Sequence, residues 1–348
     1  MKKLLYVGWI GFGNLGDELL YHEFKRWYRI LHPEAHYEII PSAPGIDFKN
    51  LLPYDAVVLG GGSLVLPGYL AILQQAYSEG KKVMIWGSGI DWLEEQQLAA
   101  LLSEEKPTSI ASHFSAKDTQ LMQEAIGHAH YAGVRGPLTQ KVLQTVGIDE
   151  TLPIIGDPGL LMAAPSKVLP KEKHIGINWG TTYNRLYGGH EENVENALLQ
   201  VCKKLLKQGY KLTFYIVWKE DIPACKRLLQ KINDANATLD ETLYSEEALM
   251  TQLSRFQMTI NFKLHANLLS LTAGVPCVAL GYRFKVFDLF HSLDLQNYVV
   301  STGSPSFSID VMDCIRLIEQ QTPEILHTYE QKKQVYLPLL KQMIQSLH

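Results

Sequence analysis

Short apolar segments, each followed by a glycine-rich or polar turn and then by a helical pattern, recur along this chain, and this alternation limits its fold more than any other feature. A short buried apolar run is typical of a parallel strand, and a helix must then return the chain to the next strand. Two such series are separated by the charged, proline-containing segment 163–174. The sequence therefore predicts an α/β protein with two doubly wound, Rossmann-like domains, residues 1–165 and 166–348.

Charge and cysteine content exclude several classes of protein. A net charge of -4 over 348 residues gives no overall attraction to nucleic acid or to an anionic membrane. The apolar stretches are too short to cross a bilayer, and the first apolar run is better explained as a strand than as a signal peptide. Four widely spaced cysteines without a CxxC pair favour a reducing cytoplasm over a zinc site or a disulfide framework. We expect a cytoplasmic protein, and peripheral association with the inner face of the membrane would use apolar residues of the last helix.

The segment 258–285 predicts a strand, a helix and a second strand, with basic residues at the turns. Lys263 and His265 stand where the helix begins, and the free N–H groups and positive dipole end of a helix favour an anion there. Arg283 and Lys285 follow the second strand, so in a parallel sheet they lie at the same edge. A phosphate or carboxylate ligand is one interpretation. An ordinary strand–helix–strand unit with a solvated basic loop is the other.

The turn after the first strand, residues 11–18, is rich in glycine and ends in two carboxylates. Its glycines fit the spacing of a dinucleotide fingerprint, but Asp17 and Glu18 would then face a pyrophosphate, which argues against that ligand. Asp17 at a helix start either caps the helix and complements its dipole, or binds a hydroxyl as an orienting group or general base. Both interpretations stay open.

Three further strand exits carry candidate site residues. Gly60–Gly62 either lets a ligand approach the backbone, with N–H groups forming an anion-binding concavity, or serves tight packing alone. Arg135 is either an anion clamp with fork geometry or a member of a surface salt bridge. Asp157, directly before Pro158, either holds that turn or points into a cleft.

These motifs, taken in order over about residues 5–290, resemble the polysaccharide pyruvyl transferase family. The matching segments are Gly11-Phe-Gly-Asn14-Leu-Gly16-Asp17-Glu18, Gly60-Gly61-Gly62, Val134-Arg135-Gly-Pro-Leu-Thr139, Gly156-Asp157-Pro158, Lys263-Leu264-His265-Ala266, Ala273-Gly274-Val275-Pro276, Tyr282 and Lys285-Val286. The chain departs from the family pattern at two positions. Lys263 stands where arginine is frequent, and Arg283 where aspartate is common.

Residues 308–321 and 323–347 are predicted as two helices, and the second, which is long and amphipathic, is expected to pack near the domain junction. The resemblance implies a GT-B-like fold, in which two Rossmann-like domains face a cleft. It also implies transfer of pyruvate from phosphoenolpyruvate to two hydroxyls of one sugar in a cell-surface polysaccharide or its precursor, giving a cyclic ketal. Arg135, Lys263 and His265 match the positions expected to hold phosphoenolpyruvate. The donor is a substrate, and neither a cofactor nor a metal is implied. The remaining substrate-binding candidates are Leu264, Lys285, Arg283, Asn14, Gly16, Gly61, Gly62 and Asp157.

Chemistry suggests roles for these residues. His265 would be the general acid, or hold the departing phosphate, because imidazole exchanges protons near neutral pH. Asp17 or Asp157 would orient or deprotonate an acceptor hydroxyl. The expected partners are phosphoenolpyruvate and a sugar or glycan that is free, nucleotide-linked or lipid-linked, and a homo-oligomer is compatible with the sequence. The alternatives are a GT-B glycosyltransferase that uses a nucleotide-sugar donor and a non-catalytic protein that binds a sugar or an anion.

Overall fold

The computed structural model describes residues 1–34, 36–103, 110, 113–148, 151–166 and 173–347. The chain forms two compact units. Unit 1 comprises Met1–Phe12, Asp17–Leu161 and Lys333–His348, and unit 2 comprises Gly13–Gly16 and Met162–Lys332. The sequence instead placed the division between residues 165 and 166 and assigned 333–348 to the second domain. Residues 167–172 of the predicted linker lie outside the described residues.

Unit 1 contains a parallel sheet of five strands in the order β2-β1-β3-β4-β5. The strands are β1 (Lys2–Val7), β2 (Tyr37–Pro41), β3 (Ala56–Leu59), β4 (Lys82–Ser88) and β5 (Tyr131–Val134). Every residue of β3 is buried, as expected of a central strand covered on both faces. The chain moves from β1 to one side and then to the other, so the strand order reverses between β1 and β3. Such a reversal is where open α/β sheets bind ligands.

Helices pack against this sheet, and residues from the end of the chain complete its core. The helices are α1 (Leu15–Leu31), α2 (Pro67–Ser78), α3 (Glu95–Leu102), α4 (Ala116–Gly127) and α5 (Pro137–Thr145). Within the segment 333–347, Leu340 and Ile344 have no exposed surface. The buried indole of Trp86 donates to the Leu340 carbonyl at 3.0 Å, and His32 Nε2 lies 2.8 Å from the Ile344 carbonyl. The segment is therefore part of the core of unit 1.

Unit 2 contains a second parallel sheet, of six strands in the order β11-β10-β9-β6-β7-β8. The strands are β6 (His174–Asn178), β7 (Lys211–Tyr215), β8 (Ala237–Asp240), β9 (Met258–Asn261), β10 (Cys277–Gly281) and β11 (Val299–Ser301). The reversal of strand order falls between β6 and β9. The predicted basic unit is thus β9 and β10 with the helix between them, and it borders the reversal.

The helices of unit 2 are α6 (Glu191–Lys207), α7 (Ile222–Ile232), α8 (Glu246–Leu253), α9 (Leu264–Thr272) and α10 (Phe284–Ser292). A long helix, α11 (Phe307–Gln345), begins in unit 2 and ends in unit 1. The sequence predicted two helices here, residues 308–321 and 323–347, and Pro323 favours a break because its nitrogen has no hydrogen to donate. The structure places the break at Gln321, whose φ of -122° and ψ of 17° are not helical. Among the described residues, no helix is long and apolar enough to span a membrane.

Candidate functional site

Two buried asparagines fix the edge of the unit 2 sheet where its strand order reverses. Asn178 ends β6, Asn261 ends β9, and the two are paired across the strands. The Asn178 side chain donates to the Tyr215 carbonyl at 3.2 Å and accepts from the Lys263 backbone N–H at 2.9 Å. The Asn261 amide donates to the Ala266 carbonyl at 3.2 Å. The start of α9 is therefore fastened to the ends of two strands.

Lys263 is the N-cap residue of α9, and its own side chain does not cap the helix. Its ammonium instead donates to the Thr181 carbonyl at 2.6 Å and lies 3.1 Å from Asp221 Oδ1. It also lies over the Trp218 ring, 4.9 Å from the centroid. The side chain is only 14 % exposed, so this cation is held in one place at the helix start.

Asp221 is fully buried directly behind that lysine. Its Oδ1 accepts from the Thr181 backbone N–H at 3.1 Å, and a Cβ atom at Gly180 would overlap the carboxylate. Burial raises the pKa of Asp221 to about 6, although Lys263 and the Thr181 N–H favour the charged form. The Asp221–Lys263 pair thus brings two opposite charges to the sheet edge rather than one positive charge.

His265 lies against the glycine-rich segment 13–16. A Cβ atom at Gly16 would overlap its imidazole at Nδ1, so only glycine fits at this position. The segment is held against the β7 exit, because Leu15 N donates to the Val217 carbonyl at 3.0 Å and Asn14 forms an antiparallel bridge with Trp218. Gly16 and His265, which are almost 250 positions apart in sequence, are therefore neighbours in unit 2, and Asn14 precedes Gly16 by two residues.

Arg283 and Lys285 lie beside a row of aromatic rings at the same sheet edge. The Arg283 guanidinium is 5.4 Å and the Lys285 ammonium 5.5 Å from the Tyr282 ring centroid. Tyr282 in turn packs on Phe262, with ring centroids 4.5 Å apart. Arg283 Nε also donates to the Arg185 carbonyl at 2.8 Å. The four predicted cations therefore gather at one edge, whereas Leu264 is buried in the core.

The loop between β6 and α6 is ordered by one carboxylate. Glu191 accepts from the hydroxyls of Thr181 and Thr182 and from the backbone N–H of Asn184 at 3.0 Å, and its own N–H donates to the Asn184 side chain at 2.9 Å. Tyr183 and Asn184 both adopt left-handed backbone conformations, with φ of 54° and 59°. Glu191 therefore holds a bent loop whose Thr181 contacts both members of the Asp221–Lys263 pair.

In unit 1, the glycine exit of β3, that is the turn Gly60–Gly62 after the strand, packs against Tyr6 and Asp17. A Cβ atom at Gly60 would overlap the Tyr6 hydroxyl, and one at Gly62 would lie 3.4 Å from Asp17 Oδ1. Gly62 has a φ of 98°, a conformation that L side chains rarely adopt. Burial raises the pKa of Tyr6 well above its usual value. Asp17 is partly exposed in the first turn of α1.

Arg135 and Asp157 have no exposed surface in unit 1. Arg135 donates to the Gly62 carbonyl and to Ser63 Oγ, both at 3.2 Å, and to the Ile90 carbonyl at 3.3 Å. These bonds tie the exits of β3 and β4 together. Asp157 Oδ1 accepts from the Gly159 backbone N–H at 2.9 Å, so Asp157 holds its own turn. Direct contact of either residue with a substrate stays a prediction.

Three residues that organise this site were not predicted from the sequence. Asp221 pairs with Lys263, Asn178 holds the start of α9, and Glu191 orders the loop after β6. Asp221 follows strand β7 in the short run Trp-Lys-Glu-Asp, and a carboxylate at a strand exit was the signal that could have found it. Asn178 ends its strand in the same way. Among the described residues, no group of three or more His, Cys, Asp or Glu side chains could hold a metal ion.

Comparison with solved structures defines the class of fold. The chain is similar to a putative UDP-N-acetylglucosamine 2-epimerase from Listeria monocytogenes, with a TM-score of 0.59, 10 % identity and coverage of 94 % of this chain and 90 % of that chain. It is similar to a UGT transferase from Siraitia grosvenorii in complex with UDP, with a TM-score of 0.57 and 11 % identity. The match covers 99 % of this chain and 99 % of that chain. For Acinetobacter baumannii MurG the TM-score is 0.52 and the identity 12 %, and the match covers 99 % of this chain and 100 % of that chain. The predicted GT-B-like class with two Rossmann-like units is confirmed.

The family is narrower than the fold. A family model for polysaccharide pyruvyl transferases matches residues 14–283, which include Gly60–Gly62, Arg135 and the segment from Lys263 to Arg283. The chain therefore belongs to the polysaccharide pyruvyl transferase family, as its ordered motifs predicted. The comparison with curated proteins gives no match.

Proposed function

We propose that this protein transfers pyruvate from phosphoenolpyruvate to two hydroxyls of a sugar in a cell-surface polysaccharide or its precursor. The observation that carries the proposal is the start of α9, where backbone N–H groups, Lys263 and His265 lie together at the strand-order reversal of unit 2. Phosphoenolpyruvate carries a phosphate and a carboxylate, and helix starts with nearby cations bind such groups. Membership of the family supports this donor over other anions.

The proposed reaction begins with proton delivery to C3 of phosphoenolpyruvate, which builds positive character at C2. One sugar hydroxyl attacks C2 and loses its proton, the bond between C2 and the bridging oxygen breaks, and phosphate leaves with the electron pair. The second hydroxyl then attacks C2, releases its proton to the departed phosphate or to solvent, and closes the ketal. We assign proton delivery, or support of the departing phosphate, to His265, because imidazole can serve as an acid near neutral pH.

Binding of the donor is assigned to Lys263, Arg283 and Lys285, with the N–H groups at the start of α9. Arg135 acts in this scheme chiefly by ordering the glycine exits of unit 1, where its hydrogen bonds end. Gly61 and Gly62 offer the backbone of that exit without side chains. No cofactor takes part in the proposal.

Binding of the acceptor hydroxyl is assigned to Asp17, a partly exposed carboxylate that directly follows Gly16 in the chain. Exposed rings of Trp9 and Phe12, stacked with centroids 4.2 Å apart, stand at the end of β1 and add an aromatic surface of the kind that lines many ligand sites. Asp17 would orient or deprotonate one hydroxyl. We place the reaction in the cytoplasm, on an acceptor that is free, nucleotide-linked or lipid-linked.

A nucleotide-sugar glycosyltransferase is the second candidate. The observation that favours it is the likeness to solved structures in complex with UDP, with TM-scores of 0.57 for two of them. A helix start with basic residues suits a diphosphate as well as phosphoenolpyruvate. The two candidates differ in which donor the native protein binds.

A thermal-shift titration separates these candidates. The protein is heated with phosphoenolpyruvate, inorganic phosphate, or a panel of nucleoside diphosphates. A ligand that binds only the folded state stabilises it by about RT ln(1 + [L]/Kd), roughly 2.7 kcal/mol at 100 Kd. We expect a larger shift with phosphoenolpyruvate than with phosphate, and loss of that difference in His265→Asn.

Surface charge alone could produce some shift, so Lys332→Gln is a matched control, because Lys332 pairs with Asp294 and has no assigned role. Its shift should equal that of the wild type. A shift with a nucleoside diphosphate and none with phosphoenolpyruvate would replace the proposal with the glycosyltransferase. Phosphate release from phosphoenolpyruvate in the presence of candidate sugars then tests turnover.

A further inference from the structure

The pair formed by Asp221 and Lys263 has an arrangement that the proposed donor site does not by itself explain. Asp221 is completely buried, yet only its Oδ1 is engaged, by Lys263 and by the Thr181 N–H. Oδ2 is buried without a hydrogen-bond partner among the described residues. A buried carboxylate with one unsatisfied oxygen is costly, so a role beyond packing deserves a test.

In the part of the chain that the structure describes, Lys263 is the cation that acts on this carboxylate. The titratable groups that face Asp221 are Lys263 at the start of α9, Glu191 at the start of α6 and Cys225 on α7. Glu191 disfavours the charged form of Asp221, whereas Lys263 favours it. The ionised state of Asp221 therefore depends on one lysine, which is also the lysine assigned to the donor.

We propose that Asp221 is a positioning residue for Lys263, and that Asp221 takes up a proton from solvent when the anionic donor engages the lysine. The inference rests on the proposed function. The proton adds to Oδ2, so the bonds that Oδ1 accepts from Lys263 and Thr181 need not break. The Asp221–Lys263 pair then carries a net positive charge toward the donor, whereas the pair is neutral while Asp221 is ionised.

Electrostatics supports this coupling. An anion that approaches the lysine adds a negative charge near a carboxylate that is already poorly solvated, and like charges in such a setting cannot both ionise at low cost. The pKa of Asp221, about 6 without a ligand, would rise further when the donor is bound. At pH 7.5 the carboxyl would change from mostly ionised to mostly protonated.

Calorimetric titration with phosphoenolpyruvate at pH 7.5, in buffers of different ionisation enthalpy, counts the protons taken up. We expect the wild type to take up about one proton more per donor than Asp221→Asn. Between pH 7 and 8.5, the affinity for the donor should also fall more steeply with rising pH in the wild type than in Asp221→Asn. The difference in slope should reach about tenfold per pH unit. Protons exchanged by the donor itself are common to both proteins and cancel in this comparison.

Glu195 provides a matched control. It is also fully buried and paired, with Arg227 at 2.6 Å and Lys231 at 2.7 Å, and it lies outside the assigned donor site. Glu195→Gln should take up as many protons as the wild type. Equal proton counts in the wild type and Asp221→Asn would overturn the inference while leaving the donor assignment intact. Absence of phosphoenolpyruvate binding in the wild type would overturn both.

If Asp221→Asn does not fold, the wild type alone gives the answer. In protein carrying carbon-13 in its aspartate carboxyls, infrared difference spectra with and without phosphoenolpyruvate show whether a carboxylic acid band appears. The band is expected with the donor. A spectrum without an aspartic acid band, under saturating donor, would contradict the inference.

Discussion

Gly16 and His265 are in such close contact that no side chain fits between them. The contact links a glycine near the start of the chain to the helix start of the basic unit, and both residues belong to unit 2. The glycine is thus required by a neighbour that is almost 250 positions away in sequence. A side chain at position 16 would overlap the imidazole in its present position.

We expect Gly16→Ala to displace the His265 ring and to lower turnover of phosphoenolpyruvate about 10²-fold, since small misplacements of a reacting group have effects of that size. Phosphate release measures the effect. Gly68→Ala is the control, because a Cβ atom at Gly68 meets no atom within 4 Å. Normal turnover by a folded Gly16→Ala protein would show that the position of the imidazole is not critical.

Stability should depend on pH through Asp221. Its folded pKa of about 6 exceeds the usual 3.8, so the folded state binds the proton more tightly than the unfolded state. The resulting stabilisation is complete below about pH 4 and is lost as the pH rises through 6, a change of about 3 kcal/mol. Chemical denaturation at a series of pH values should show this loss in the wild type, relative to Asp221→Asn.

Glu195 should show the opposite dependence. Burial raises its pKa, but hydrogen bonds from Arg227 and Lys231 outweigh burial and leave the pKa below 4.5. Its stabilisation is therefore present above that pH and is lost on acidification. The free energy of unfolding of the wild type relative to Glu195→Gln should fall as the pH drops below about 4.5. The same sign of slope for both variants would contradict the assigned environments.

Arg135→Lys should destabilise the protein without a ligand. Lysine keeps the charge but has one nitrogen in place of the two guanidinium nitrogens that reach Gly62, Ser63 and Ile90, so a buried carbonyl loses its partner at a cost of about 1–3 kcal/mol. The melting midpoint of the free protein measures this, with the exposed Arg29→Lys as control. An unchanged midpoint combined with loss of the phosphoenolpyruvate shift would instead favour direct donor contact by Arg135.

Leu340→Ala should cost about 2–5 kcal/mol, because Leu340 is fully buried in unit 1 and its removal leaves a cavity. Val335, which is 57 % exposed on the same helix, gives the control Val335→Ala with little change. Denaturant unfolding compares the two variants. A small effect at Leu340 would mean that this helix segment contributes little to the core of unit 1.

Local patterns in the sequence predicted most of the fold. Buried runs such as Met258–Asn261, glycine exits and the proline near 323 act within a few residues, so the strands and the interrupted last helix could be predicted. The sequence also predicted the basic edge, because Lys263 and His265 lie at one helix start. It could not assign residues 13–16 to unit 2, since that depends on pairing with the β7 exit.

The roles of charged residues were harder to predict, because they depend on burial. Lys263 and Arg135 were both expected to bind an anion, and the structure pairs the first with Asp221 and surrounds the second with carbonyls. Neither partner is near in sequence. A count of positive charges therefore missed the Asp221 carboxylate, which offsets the charge of Lys263.

Unit 1 is assembled from segments that lie far apart in the chain, and this has a consequence for synthesis of the protein. Residues 333–347 contribute to its core, although residues 1–161 leave the ribosome much earlier. Long-range contacts of this kind delay folding until both segments are available. The nascent first sheet should therefore expose the surface around Trp86 while unit 2 is translated, and it should depend on chaperones during that interval.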